Sequence, residues 1–144
     1  MMSKYIHKVQ YYETDKMGIT HHSNYIRFME EARMNALEEM GYPMVRLEEM
    51  GITSPVLSVN CEYKHTTTYA DSIEIEVKLI EYTGVKLKIS YVMKNSDTQE
   101  VVSLASSSHC FVNKSGVPIA VKKYFPEFDA ALTEERKRND CDLL

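Results

Sequence analysis

The chain has 144 residues, of which 44% are hydrophobic and 26% are charged. These values are typical of a globular protein, and we expect a single domain over residues 1–144. The net charge of −4 comes without a basic stripe, which argues against a nucleic-acid partner. No apolar run approaches the roughly 20 residues of a membrane span, and the N-terminus has no apolar signal-peptide core.

Cysteine usage favours a reducing compartment. The three cysteines are Cys61, Cys110 and Cys141, an odd number without a C-x-x-C spacing. This pattern predicts neither a disulfide framework nor a zinc site, and a cytoplasmic location fits it best. The neighbouring His21 and His22 do not suggest a metal site either, because adjacent side chains seldom reach one ion. We therefore expect no bound metal.

The first third of the chain predicts a strand, a loop and a long helix. Residues 5–13 alternate and are rich in β-formers, whereas residues 14–22 are polar and contain Gly18. From Ser23 the apolar residues recur every three or four positions, which predicts a helix that ends near Gly41. The predicted buried face consists of Tyr25, Phe28, Met29, Ala32, Ala36 and Met40. A short second helix is predicted over 44–51.

After Pro55 the apolar period changes to two, which predicts strands over 56–63, 72–82, 85–93 and 101–113. Thr83-Gly84 is typical of a hairpin turn. The charged tail from Leu132 predicts a frayed helix or a loose end. One long helix against an antiparallel sheet is an α+β layout. The Glu/Lys alternation over 72–93 indicates that the other sheet face is partly wet.

Asp15 is the first candidate for a catalytic residue. It lies too far before the helix start to cap it, and Ser23 or Asn24 can serve as the cap instead. The first N–H groups of a helix are unsatisfied and carry the positive end of its dipole, so they attract an oxyanion. A carboxylate delivered by a glycine turn to the same place can attack a carbonyl or activate water.

Residues 11–33 resemble the signature of hotdog-fold acyl-CoA thioesterases of the 4-hydroxybenzoyl-CoA thioesterase/YbgC-like family. The likeness rests on Thr14-Asp15, Gly18, Asn24-Tyr25 and the run FMEEAR at residues 28–33. It extends over roughly residues 4–125 and implies a sheet wrapped around a long central helix. His21 stands where the family commonly has an aromatic residue. A proline that the family often has near Thr66 is absent.

The resemblance implies roles for individual residues. Asp15 corresponds to the catalytic carboxylate, acting as nucleophile or as general base for water. His22 corresponds to the position whose backbone N–H polarises the thioester carbonyl. Glu30 corresponds to a helix glutamate that serves as base in some subgroups, and it is the second candidate for that role. The residues expected to line the substrate pocket are Tyr25, Met29, Glu30, Thr66, Thr67 and Thr68.

Two functions stay open from the sequence. The first is a thioesterase that hydrolyses acyl-CoA or acyl-carrier-protein thioesters without a cofactor. The second is a non-catalytic hotdog module that binds acyl groups. The acyl group itself is left open. The apolar rows over 85–93 and 101–112 suggest more surface than one helix buries, so we expect a homodimer or a homotetramer with sites between subunits.

Overall fold

The computed structural model describes residues 2–142. No helix in this part of the chain is long and apolar enough to cross a membrane. A single 3₁₀ turn covers Tyr11–Glu13. The other elements, in chain order, are β1 (Met2–Lys8), α1 (Asn24–Glu39), α2 (Met44–Glu49), β2 (Ile52–Thr53), β3 (Val56–Tyr63), β4 (Ser72–Tyr82), β5 (Lys86–Asn95), β6 (Val101–Cys110), β7 (Val112–Asn113), α3 (Val121–Tyr124) and α4 (Pro126–Asp142).

Five antiparallel strands form the main sheet in the order β1-β4-β5-β6-β3, and β2 pairs with β7. Helix α1 packs on one face of this sheet, which confirms the predicted α+β layout. The predicted helix face is buried from Tyr25 to Ala36, and Met40 is half-buried against it. On β4 the alternating apolar residues are fully buried: Ile73, Ile75, Val77 and Leu79. Glu74 and Glu76 between them are half-buried.

The first strand is shorter than predicted. It ends at Lys8, because the backbone N–H of Gln10 donates to the Glu13 carboxylate at 2.7 Å instead of continuing the ladder. Residues 11–13 then form the 3₁₀ turn, which the β-rich composition of this stretch conceals. The last predicted strand divides into β6 and the short β7. The charged tail is a helix, α4, and not a loose end; Leu143 and Leu144 lie outside the described residues.

Strand β3 forms one edge of the sheet and is exposed along most of its length. Its alternation has the form of a core strand, yet Val56, Leu57, Val59 and Tyr63 are each 40–51% exposed. The apolar rows of β5 and β6, by contrast, are mostly buried. Within the sheet, exposed apolar side chains are therefore most frequent on β3, whereas β6 adds only Leu104 to them and β5 adds none.

Helix α4 packs against the edge of β4 that β1 does not cover. β1 pairs with residues 72–78 of β4, so the end of β4 beyond Lys78 has no strand on that side. The buried Asn139 side chain donates to the Leu79 carbonyl at 2.8 Å. The Tyr82 hydroxyl donates to the Asp129 carboxylate at 2.6 Å.

Candidate active site

The loop that carries Asp15 is a tight turn closed by backbone hydrogen bonds. The Asp15 N–H donates to the Ile19 carbonyl at 2.8 Å, and the Gly18 N–H donates to the Asp15 carbonyl at 3.0 Å. Gly18 has a φ of +80°, a conformation that glycine adopts at little cost. The Met17 N–H donates to Asp15 Oδ1 at 2.8 Å. One carboxylate oxygen is thereby oriented, while no hydrogen bond among the described residues uses the other.

The backbone N–H of His22 lies just before the start of α1. The Asn24 N–H donates to the His21 carbonyl at 3.0 Å, and the Tyr25 N–H donates to the His22 carbonyl at 3.3 Å. Within residues 2–142, no hydrogen bond uses the N–H of His22. An unsatisfied N–H at the positive end of a 16-residue helix is a ready anion donor.

The predicted side-chain cap of α1 is absent. Ser23 makes no capping hydrogen bond, and its hydroxyl is hydrogen bonded instead to His21 Nδ1 at 2.8 Å. The Asn24 amide donates to the Glu13 carbonyl at 2.8 Å. The prediction that Ser23 or Asn24 caps the helix is wrong, because both side chains hold the preceding loop. This leaves the helix terminus open to a ligand.

The structure brings four of the eight predicted site residues to one cleft of about 220 Å³. Asp15, His22, Tyr25 and Thr66 all line it. Its other lining residues are Ile19, Thr20, Tyr63, Lys64 and His65. A carboxylate and the start of a helix therefore share one small concave site, as the chemistry inferred for residues 14–25 requires.

Two of the predicted threonines lie behind this cleft. Thr67 is buried, and its hydroxyl is hydrogen bonded to Thr20 Oγ1 at 2.6 Å and to the Tyr25 hydroxyl at 3.0 Å. Burial raises the pKa of Tyr25 above its ordinary value, so the phenol stays neutral and can donate. Thr68 pairs with Ile19 in an isolated bridge and donates through its N–H and hydroxyl to the Asp71 carboxylate. Both threonines hold the Asp15 loop in place.

Met29 and Glu30 lie away from the cleft of this chain. Met29 is 1% exposed in the core. Glu30 is exposed and borders a second, more apolar cavity of about 260 Å³ between α1, α2 and the sheet. That cavity is lined by Glu30, Arg33, Met34, Leu37, Met44, Leu47, Ser54, Pro55, Val56, Leu79, Leu87, Ile89, Phe111 and Leu132.

A buried polar chain runs beside this second cavity and was missed from the sequence. Arg33 donates to the Tyr91 hydroxyl at 3.3 Å, Tyr91 is hydrogen bonded to Ser107 at 2.8 Å, and Ser107 to His109 Nε2 at 2.7 Å. His109 is fully buried. Burial and the nearby Arg33 lower the pKa of His109 to about 4. The small polar residues in the middle of the strand predicted over 101–113 were the only sequence feature that indicated this chain of hydrogen bonds.

Tyr63 was also missed, because its position in the alternation of β3 predicted a core residue. Its hydroxyl donates to the His22 carbonyl at 3.0 Å, and its ring meets the Tyr25 ring edge-on at 5.3 Å. Partial burial, together with the Cys61 thiol, raises the pKa of Tyr63 to about 12. The neutral phenol therefore fixes the peptide beside the free His22 N–H.

Comparison with known proteins places the chain in a family. The profile of the thioesterase-like superfamily matches residues 9–132. An Aquifex aeolicus protein provisionally named an esterase is 38% identical over 119 residues, covering 83% of this chain and 91% of that protein. A Bacillus subtilis protein provisionally named acyl-CoA thioesterase YneP is 31% identical over 130 residues, covering 90% of this chain and 94% of that protein.

The fold agrees with this assignment. The crystal structure of a DHNA-CoA thioesterase from Staphylococcus aureus superposes with a TM-score of 0.91 at 26% identity, covering 96% of this chain and 93% of that one. The hotdog fold and the family resemblance of residues 11–33 are both confirmed. The chain belongs to the thioesterase-like superfamily, and it is a thioester hydrolase.

Proposed function

We propose that this protein hydrolyses an acyl-CoA thioester in the Asp15 cleft, with Asp15 as nucleophile or general base and the His22 N–H as oxyanion donor. One observation carries the proposal. Asp15 and His22 line the same cleft at the start of α1, and no hydrogen bond among the described residues uses the His22 N–H. The names of the B. subtilis relative and of the S. aureus neighbour favour CoA thioesters as substrates.

The chemistry follows from these two groups. In the general-base route, Asp15 takes a proton from water while the water oxygen attacks the thioester carbonyl carbon. In the nucleophilic route, the carboxylate attacks first and water then cleaves the mixed anhydride. In both routes the carbonyl oxygen becomes an oxyanion that the His22 N–H and the helix dipole stabilise. Breaking the carbon–sulfur bond then releases the thiolate of CoA.

The acyl group needs a compartment that the Asp15 cleft does not supply by itself. We propose that it enters the apolar cavity of a second copy of the chain. Tyr63 at one end of β3 lines the Asp15 cleft, and Val56 at the other end lines the apolar cavity. Seven residue steps separate them, which is roughly 23 Å along a strand.

Edge-to-edge pairing of two β3 strands brings the two compartments together. A two-fold axis makes the paired strands antiparallel, so that Val56 of one protomer approaches Tyr63 of the other. Each Asp15 cleft then adjoins the cavity bordered by the partner's Glu30 and Arg33. The exposed apolar side chains of β3 supply surface for this contact. This arrangement also gives the exposed Glu30 a place near the substrate, as the family pattern implies.

Acyl-carrier-protein thioesters remain the alternative substrate, because they present the same pantetheine thioester. The sequence alone left open a non-catalytic module that binds acyl thioesters in the same cleft, and the family assignment and the name of the B. subtilis relative favour the hydrolase over it. No cofactor is required in any of these readings, since water is the only second substrate.

A panel of substrates tests the proposal. Short-chain, branched and aryl CoA thioesters are incubated with the protein, release of thiol is recorded, and the panel is repeated with acyl-carrier-protein thioesters. We expect turnover with at least one CoA thioester at a kcat within the usual enzyme range of about 1–10³ s⁻¹. Calorimetric binding without release of thiol would support the non-catalytic module instead.

A further inference from the structure

A buried cluster of three ionisable side chains lies directly behind the Asp15 loop. His7 on β1 has Nε2 at 2.8 Å from Glu13 Oε1 and Nδ1 at 2.8 Å from Glu31 Oε2. The imidazole also packs on the Phe28 ring, with 4.1 Å between the ring centroids. His7 and Glu13 are 9% and 5% exposed, whereas the Glu31 side chain is 44% exposed.

The hydrogen bonds define what this cluster holds. A carboxylate only accepts, so a ring nitrogen that faces one must carry a proton, unless the carboxyl group itself is protonated. Both nitrogens of His7 lie within hydrogen-bond distance of a carboxylate, so a hydrogen bond at either nitrogen has a charged partner. Such charge-assisted hydrogen bonds are stronger than neutral ones. Glu13 is therefore firmly held, although it lies in a connecting turn.

The backbone of Glu13 connects this cluster to the loop that carries Asp15. Its carboxylate also accepts the Gln10 N–H at 2.7 Å. Its carbonyl oxygen accepts the His21 N–H at 2.8 Å and the Asn24 side-chain amide at 2.8 Å. Residue 13 thus joins β1 to both ends of the segment that carries Asp15 and to the first residue of α1.

We infer that Glu13, held by His7, is a positioning residue that fixes the distance between the Asp15 carboxylate and the His22 N–H. This inference rests on the proposed roles of Asp15 and His22. Asp15 lies two residues after Glu13. His22 lies one residue after His21, whose N–H donates to the Glu13 carbonyl. A shift of residue 13 therefore moves the carboxylate and the oxyanion donor relative to each other. Misplacement by about 1 Å can cost on the order of 10²-fold in rate.

Four variants test the inference, and each has a defined purpose. Glu13→Ala removes the anchor. Glu13→Gln keeps an oxygen that can accept from both His7 and Gln10 but removes the charge. Asn139→Ala deletes a buried hydrogen bond from α4 to the Leu79 carbonyl and controls for general loss of stability. Asp15→Asn tests the catalytic role on which the inference rests.

The measurements are kcat and KM on the best CoA thioester of the panel, the melting temperature, and amide hydrogen exchange of peptides covering residues 14–22. For Glu13→Ala we expect a roughly 10- to 100-fold loss in kcat, a KM within about twofold of wild type, and faster exchange in this loop. Glu13→Gln should stay within about threefold of wild type in kcat. Asn139→Ala should lower the melting temperature and leave both kcat and loop exchange unchanged.

The outcomes separate the two ideas. Wild-type kcat and loop exchange in a folded Glu13→Ala would overturn the positioning role, as would an equal kcat loss in Asn139→Ala. Normal turnover in Asp15→Asn would refute the proposed function instead, while loop exchange in Glu13→Ala would still report on the anchor. If Glu13→Ala does not fold, His7→Ala takes its place, since it leaves the loop sequence and the Gln10 contact intact. The same outcomes then decide.

Discussion

The Tyr63 hydroxyl donates a hydrogen bond of 3.0 Å to the carbonyl oxygen of His22. This contact ties the exposed edge strand β3 to the peptide that precedes α1. No hydrogen bond in the described part of the chain uses the N–H of the same residue 22, so it can stabilise a developing negative charge. A single hydrogen bond therefore connects β3, the strand at which we propose that two chains meet, to His22, the residue that carries the proposed oxyanion donor.

Replacing Asp15 with Asn should abolish most turnover and leave the fold intact. The amide keeps the shape of the side chain and an oxygen for the Met17 N–H, but it is neither a base nor a nucleophile. We expect a loss on the order of 10²–10⁴ in kcat, measured as release of thiol. Glu30→Gln is the matched carboxylate control. Full activity in Asp15→Asn with an inactive Glu30→Gln would transfer the base role to the helix glutamate.

Substitutions of His22 separate its backbone from its side chain. His22→Ala keeps the N–H, and we expect about a tenfold loss, because the backbone term should dominate. His22→Pro deletes the N–H, and kcat should fall by roughly 10²–10³, as for other lost oxyanion donors. Circular dichroism and thermal melting establish first that the proline variant is folded. Equal activity of the two folded variants would show that another group binds the oxyanion.

A charge on the exposed edge strand should prevent assembly. Val59 on β3 is 40% exposed in the single chain, so Val59→Lys leaves the core of the protomer intact. Lysine on an edge strand opposes pairing, so we expect the variant to be monomeric by light scattering at micromolar concentration and the wild type to be a dimer or a larger oligomer. Val117→Lys, at another exposed apolar position, is the control and should assemble normally. A monomeric wild type would contradict both the assembly and the composite site.

Mixing two inactive variants tests whether one site uses two chains. Asp15→Asn disables the cleft, and Ser54→Trp is designed to fill the apolar cavity at its half-buried rim. After joint refolding, half of the dimers are mixed and each has one intact site, so about a quarter of the wild-type turnover should return. Activity that stays at the level of the separate variants would show that each chain carries its own complete site.

The buried His109 predicts a loss of stability in acid. The pKa of His109 is lowered to about 4 in the folded state, because burial and Arg33 disfavour its charged form. Between the unfolded value near 6.5 and about 4, the unfolded chain binds a proton that the folded chain does not, so stability falls as pH falls. Between pH 7 and pH 4 this group should lower the free energy of unfolding by about 3 kcal/mol. Urea unfolding of the wild type and His109→Gln from pH 7 to pH 4 measures it. Parallel curves for the two proteins would exclude this origin.

The predictable parts of the fold are those whose pattern is set by one local period. The row from Ile73 to Leu79 and the helix face from Tyr25 to Ala36 are buried, because alternation and helical spacing place them on single faces. The same alternation on β3 was misleading. Leu57, Val59 and Tyr63 have the pattern of a core strand and are exposed in the single chain, because a pattern does not reveal whether the covering surface belongs to the same chain.

The candidate site divides along the same line. Asp15, His22, Tyr25 and Thr66 reach one cleft because the spacing of a short loop and a helix start confines them. Glu30 lies elsewhere, since its position depends on which face of α1 turns outward. The contact between His7 and Glu13 joins a strand to a turn through their side chains. Such a pair cannot be predicted from the periodicity of apolar residues.

Helix α4 has a consequence for how far association can proceed. A sheet with two free edges can add chains at both ends and grow into a filament. In this protein the Asn139 amide occupies the Leu79 carbonyl where β1 stops, and Lys4 and Lys8 stand on the outermost strand. These features oppose pairing at the β1 edge, so we expect growth only on the β3 side. Two sheets that join through β3, as proposed, use up that edge, and the resulting ribbon has ten strands.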